Sequence, residues 1–192
     1  MTSKMSAHKK TLLSSYIPNP KERKNIVFSL IITVFLLLIA LFLISINQHQ
    51  LMMQEYKHYK GFLKQFGSIS RIVYFVVLSI YPVFLLLKWK RLKTIEWGKY
   101  QLKSFIQFLG KLMRKWHVPL AIVSTGIALL HGYLAIIRGF KWDFTNISGI
   151  FAIIILFFLL LMGLKRFKRK DKNWHFKLAI TFLVLFMLHA SF

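Results

Sequence analysis

Cysteine does not occur anywhere in the 192 residues of this chain. Its absence excludes disulfides, cysteine-bound iron–sulfur clusters, zinc knuckles and covalent c-type haem attachment at a C-x-x-C-H site. A redox metal in this protein would therefore need histidine, methionine, tyrosine or oxygen ligands.

Acidic residues are also scarce, with 5 Asp and Glu against 28 Lys and Arg and a formal net charge of +23. In a soluble protein such a balance would suggest nucleic acid. Here the basic residues lie in loops beside long apolar runs, where they set membrane topology and contact anionic headgroups. We expect a lipid bilayer as the partner and no nucleic acid.

Long apolar runs dominate a chain that is 56% hydrophobic. About 20 residues at 1.5 Å each cross the hydrocarbon core, so the pattern predicts an all-α helical membrane bundle. We predict a cytoplasmic tail at 1–25 and a single transmembrane domain at 26–192. Its five spans are expected at about 26–46, 68–87, 117–137, 144–164 and 175–192. Two amphipathic segments, about 51–66 and 99–114, are expected to be interfacial helices.

The Lys and Arg residues indicate the orientation. Of the 28, 22 lie before the first span, between the second and third, or in the Lys165–Lys177 stretch where the fifth span begins. The positive-inside rule places these segments in the cytoplasm. We therefore predict a multi-pass cell-membrane protein with a cytoplasmic N-terminus and an external C-terminus.

Four of the seven histidines lie in the third and fifth expected spans: His117, His131, His175 and His189. Ionisable residues in membrane spans are costly and usually functional. Each pair is 14 residues apart, which is close to four turns, so its members share a helix face about 21 Å apart. The two spans run in the same direction, so His117 is expected level with His175, and His131 level with His189.

Two facing histidines at one depth satisfy a bis-histidine haem iron. We therefore expect two b-type haems, an inner one held by His117 and His175 and an outer one by His131 and His189. Phe182 lies midway between the histidines of its span and is a candidate for the space between the haems. Lys115 and Lys177 are candidate propionate contacts. A zinc or iron transport site, a proton relay and structural interhelical hydrogen bonds are the alternatives.

The two histidine spans begin alike. Trp116 to Ile122 matches Trp174 to Ile180 at five of seven positions, and the second histidine follows at the same distance in both. We expect two such similar helices where both supply ligands to the same pair of stacked cofactors.

With this histidine pattern, residues 68 to 192 resemble the ferric reductase-like transmembrane domain superfamily, which includes ferric reductases and NADPH oxidases. The resemblance implies electron flow from an inner to an outer haem and then to an external acceptor. It also implies an inter-haem aromatic residue, here Phe182, and a basic residue near an outer propionate, for which Arg71 is the candidate. Simple snorkelling of Arg71 is the alternative.

The chain departs from the family in lacking a sixth span and any G-x-G-x-x-G fingerprint, so we expect no flavin or NAD(P) site. The electron source is then a separate flavoprotein or a membrane quinol, and the acceptor is ferric iron, oxygen or an external redox protein. This reading makes the chain the membrane subunit of an oxidoreductase. The alternatives are a quinol-linked cytochrome b anchor and a non-redox membrane protein.

Overall fold

The computed structural model describes residues 12–93, 95–97, 100–168, 170 and 173–191 of the chain. The described part is helical apart from a two-residue antiparallel ladder. In chain order the elements are α1 Leu12–Tyr16, α2 Pro20–Ile46, α3 Gln48–Met53, α4 Tyr56–Leu78, α5 Ile80–Lys88, a 3-10 turn Lys90–Lys93, β1 Glu96–Trp97, β2 Tyr100–Gln101, α6 Leu102–Ile137, α7 Phe144–Phe167 and α8 Trp174–Ser191.

Five helices in the described residues are long and apolar enough to cross a membrane: α2, α4 continued by α5, α6, α7 and α8. The expectation of a helical, multi-pass membrane protein is confirmed at this level. Many large apolar side chains are exposed, as on Phe28, Leu85 and Phe157. In a bilayer these side chains face lipid rather than water.

The helix boundaries differ from the expected ones at both amphipathic segments. Residues 102–114 are the first part of α6, which runs 36 residues and about 54 Å to Ile137. In the segment expected at about 51–66, α3 ends at Met53, and α4 begins at Tyr56 and continues into the second span. The helices continue because a change from amphipathic to apolar sequence leaves the backbone hydrogen bonds intact. α6 even continues through Pro119.

The helical run after α4 is interrupted at Ser79. Pro82 has no N–H to donate to the carbonyl of Leu78, so one backbone hydrogen bond is lost there. The Ser79 hydroxyl donates instead to the Val76 carbonyl at 2.6 Å, and α5 continues from Ile80.

The described chain forms two compact units. The first contains α1, α7 and α8, and the second contains α3 to α6 with most of α2. In each unit the main packing is between two antiparallel helices, α7 with α8 and α4 with α6. We describe each unit by itself.

The second unit has a core at the end of α6 that includes Tyr59, Leu130 and Leu134. The Tyr59 hydroxyl donates to the Leu134 carbonyl. The Arg138 guanidinium lies 4.7 Å from the centre of the Tyr59 ring and donates to the carbonyls of Leu51 and Gln54. These contacts tie the turn between α3 and α4 to the end of α6.

Leu134 tests this core because its side chain is fully buried, at 0% exposure. We expect Leu134→Ala to lower the free energy of unfolding by about 2–5 kcal/mol through lost packing. Leu85→Ala is the control, since Leu85 is 73% exposed, and it should cost less than about 1 kcal/mol. Reversible unfolding in detergent micelles measures both, and equal losses would contradict the assigned core.

Candidate functional site

Two of the four histidines, His117 and His131, lie on α6 in the second unit. The other two, His175 and His189, lie on α8 in the first unit. All four side chains are half-buried. The structure therefore places each pair on one continuous helix, as the 14-residue spacing predicts.

Both histidines of α6 contact the backbone of α4. Nδ1 of His131 lies 3.0 Å from the Leu63 carbonyl oxygen, and Nδ1 of His117 lies 3.2 Å from the Val77 carbonyl oxygen. The two acceptors are themselves 14 residues apart. Because the helices are antiparallel, equal spacing on both lets the two hydrogen bonds form with the same geometry at two depths.

These hydrogen bonds determine which ring nitrogen carries the proton. A carbonyl oxygen only accepts, so Nδ1 must donate. In the neutral imidazole the lone pair is then on Nε2. A histidine whose Nδ1–H donates to a carbonyl is the usual arrangement of a metal-ligating imidazole, because the bond orients the ring and raises its basicity.

The first unit repeats this construction. Nδ1 of His189 donates to the Thr145 carbonyl oxygen of α7 at 2.8 Å. Nδ1 of His175 is buried, and the ring of His175 packs beside Gly163 of α7. Each histidine helix thus packs on the helix that precedes it, and that helix contacts both of its imidazole rings.

A polar contact crosses from α4 to α6 midway between the two histidines of α6. The Ser70 hydroxyl donates to the Ser124 carbonyl at 3.1 Å, and the Ser124 hydroxyl donates to the Ser70 carbonyl at 3.0 Å. One turn further along α4, the Tyr74 hydroxyl lies 3.2 Å from that of Thr125. Ser124 is fully buried, so these bonds satisfy hydroxyls that lipid could not.

An aromatic pair occupies the corresponding part of α8. Phe182 is 3% exposed and stacks on Phe186, with ring centroids 5.6 Å apart and planes 20° apart. Phe186 lies three residues before His189. Stacked rings therefore extend from the middle of α8 toward its last histidine.

A small apolar groove of about 210 Å³ lies beside His117 in the second unit. Its lining is Val76, Val77, Leu112, Met113, Trp116, His117 and Leu120. A half-open apolar surface with one imidazole suits a flat, largely apolar ligand.

The three candidate basic residues are all exposed side chains. The ammonium of Lys115 lies 5.8 Å from the Trp116 ring centre, and that of Lys177 lies 5.1 Å from the Trp174 ring centre. These cation–π contacts hold both lysines at the starts of the histidine runs. Arg71 is on α4, four residues after Gly67.

Within the described ranges no group of three or more His, Cys, Asp and Glu is arranged to hold a metal ion. Comparison with protein-family models, with curated proteins and with solved structures gives no match to this chain.

Sequence reasoning missed the partners of the histidines. The acceptors on Leu63, Val77 and Thr145 are backbone carbonyls, which no residue type marks. The sequence indicates weakly that Ser70 has a partner, because a serine in an apolar span needs a hydrogen-bonding group. It does not identify that partner, since Ser124 is 54 positions away.

The serine contact can be measured by a double-mutant cycle of Ser70→Ala and Ser124→Ala. Interhelical hydrogen bonds inside membranes couple by about 0.6 kcal/mol on average and up to about 1.7. We expect a coupling in this range from the hydroxyl–hydroxyl contact at 3.2 Å, whereas the bonds to the backbone carbonyls contribute to the cost of each single variant. Unfolding in micelles gives the four free energies, and strict additivity would contradict the hydroxyl–hydroxyl contact.

Proposed function

We propose that this chain is a di-haem b-type electron-transfer protein of the membrane. Its four span histidines would be the axial ligands, with His117 and His175 at an inner level and His131 and His189 at an outer level. The observation that carries the proposal is the hydrogen bonding of three of these imidazoles through Nδ1 to backbone carbonyls of the preceding helix.

That hydrogen bonding favours iron ligation over purely structural histidines. A structural histidine needs only some partner, whereas three of the four imidazoles use the same ring nitrogen and the same kind of acceptor. Their neutral form then carries the Nε2 lone pair that a metal takes. Bis-histidine iron requires two such ligands per haem, and four histidines supply two haems.

When bound, the haems would supply one-electron redox chemistry. The protein residues have distinct tasks. The histidines would bind and orient the haems, and the apolar groove at His117 would offer an apolar surface to one of them. The Ser70–Ser124 contact holds α4 against α6 between the two histidines of α6. Phe182 is the proposed residue between the haems, and Arg71, Lys115 and Lys177 are the proposed propionate contacts.

The direction of electron transfer follows from the proposed orientation. With the N-terminus in the cytoplasm, electrons enter at the inner level from a flavoprotein or a quinol and leave at the outer level. Ferric iron, oxygen or an external redox protein would accept them. The chain would then be the membrane subunit of an oxidoreductase in the cell membrane.

The absence of cysteine makes the orientation easy to test, because every introduced cysteine is the single thiol. We expect Asn47→Cys and Ser191→Cys to react with a membrane-impermeant maleimide in intact cells, since the basic segments are cytoplasmic. Ser3→Cys should react only after lysis. Labelling of Ser3→Cys in intact cells, with Asn47→Cys protected, would reverse the proposed direction.

Haem binding is tested on the purified full-length protein by the oxidised and reduced absorption spectra with haem quantification. We expect two b-type haems per chain, and about half of that in His131→Ala and His189→Ala, because each variant loses one ligand of the outer pair. His117→Ala and His175→Ala should lose the other half.

The exposed histidines His49 and His58 provide matched controls, and their alanine variants should keep both haems. Full haem retention in both His131→Ala and His189→Ala would refute the pairing. A wild-type protein without a Soret band, after expression with added haem, would refute the proposed function.

A further inference from the structure

Two glycines lie directly against histidine rings. A Cβ atom added to Gly67 would stand 3.0 Å from Cε1 and 3.2 Å from Nδ1 of His131. A Cβ added to Gly149 would stand 2.9 Å and 3.0 Å from the same atoms of His189. Approaches this close are rare for real side chains, so an alanine at either position would displace the imidazole from where it lies.

Each glycine lies four residues after the carbonyl that accepts the hydrogen bond. His131 donates to Leu63, four residues before Gly67, and His189 donates to Thr145, four residues before Gly149. In a helix the carbonyl of residue i already accepts from the N–H of residue i+4. A carbonyl oxygen can accept a further donor, and the Thr145 oxygen also accepts from the Ser148 hydroxyl at 2.9 Å. A Cβ on the glycine would crowd the imidazole that approaches this oxygen.

The same arrangement therefore occurs twice, once in each unit. It consists of a helix carbonyl, a glycine one turn later, and an imidazole that lies over the glycine and donates to the carbonyl. Both cases involve the second histidine of its helix, which is the outer ligand of the proposed pair. Beside His175, a Cβ on Gly163 would lie at 3.6 Å, which is ordinary van der Waals contact.

Glycines in membrane helices often serve close helix packing, and other glycines of this chain do so. A Cβ on Gly110 would stand 3.2 Å from Leu87, and a Cβ on Gly126 would meet Thr33. For Gly67 and Gly149 the three nearest atoms all belong to a histidine ring. Their contact is with the ligand side chain and not with another packing residue.

We propose that Gly67 and Gly149 are positioning residues for the outer haem, a role that rests on the proposed function. By leaving room for the imidazole over the helix, each glycine lets the ring reach its carbonyl and so sets the ring plane and the tautomer of its histidine. His131 and His189 have matching glycine contacts, each within its own unit. The glycines act through the histidines and would not touch the iron.

The experiment compares Gly67→Ala and Gly149→Ala with two glycine-to-alanine controls in the haem-loaded, full-length protein. Gly61→Ala controls for helix propensity, because nothing lies within 4 Å of its added Cβ. Gly110→Ala controls for tight packing against an apolar side chain. The readouts are the low-field EPR signal of each low-spin haem, its midpoint potential and its retention during dilution.

In Gly67→Ala and Gly149→Ala we expect the EPR signal and the midpoint potential of the outer haem to shift. We also expect that haem to be retained about tenfold more weakly, because changes to the groups that orient a metal ligand typically cost this much. The inner haem should keep its signal and serve as an internal reference. The His131→Ala variant assigns the outer signal, since it lacks that ligand. Both controls should give wild-type values for both haems.

Unchanged outer-haem signals in both variants, in a protein that binds two haems, would overturn the positioning role and leave the proposed function standing. Equal shifts in Gly110→Ala would also overturn it, since general loosening would then explain the effect. A wild-type protein without haem would overturn both proposals. The two variants lie in different units, so failure of one to accumulate leaves the other as a test.

Discussion

Backbone carbonyls of two membrane helices hold the imidazoles on which the proposed chemistry depends. Leu63, Val77 and Thr145 each accept from a histidine Nδ1 at 2.8–3.2 Å. A membrane helix normally satisfies its carbonyls internally, so the imidazoles are additional donors, and the Thr145 carbonyl accepts from the Ser148 hydroxyl as well. The bonds require α4 to lie against α6, and α7 against α8, at a distance that an imidazole spans.

The two units have similar histidine contacts, but the residues between the two histidines of each helix differ. Between the histidines of α6, Ser124 bonds to Ser70 across the helix contact. At the corresponding position of α8, Phe182 stacks on Phe186. The histidine contacts are thus repeated, whereas the contacts made between the two histidines of each helix are not.

Much of this could be read from residue types and their spacing. Five helices able to span a membrane follow from hydropathy, and the common face of each histidine pair follows from 14 residues being close to four turns. Helix continuity was harder to predict. Amphipathic segments before the spans look like separate surface helices, yet α6 continues without interruption from Leu102 to Ile137. A change of hydropathy along a helix does not break its hydrogen bonds, and α6 continues even through Pro119, which has no N–H for the carbonyl of Lys115.

By itself the sequence determined the spans, the spacing of the histidines and the repeated start of their helices, because hydropathy and helical periodicity are local properties of residue types. Only the tertiary structure decided which carbonyl each imidazole contacts, why Gly67 and Gly149 are glycines, and that Ser70 and Ser124 are partners. Backbone carbonyls are the same at every position, and these contacts join residues 40 to 68 positions apart. The packing of one helix against another selects among them.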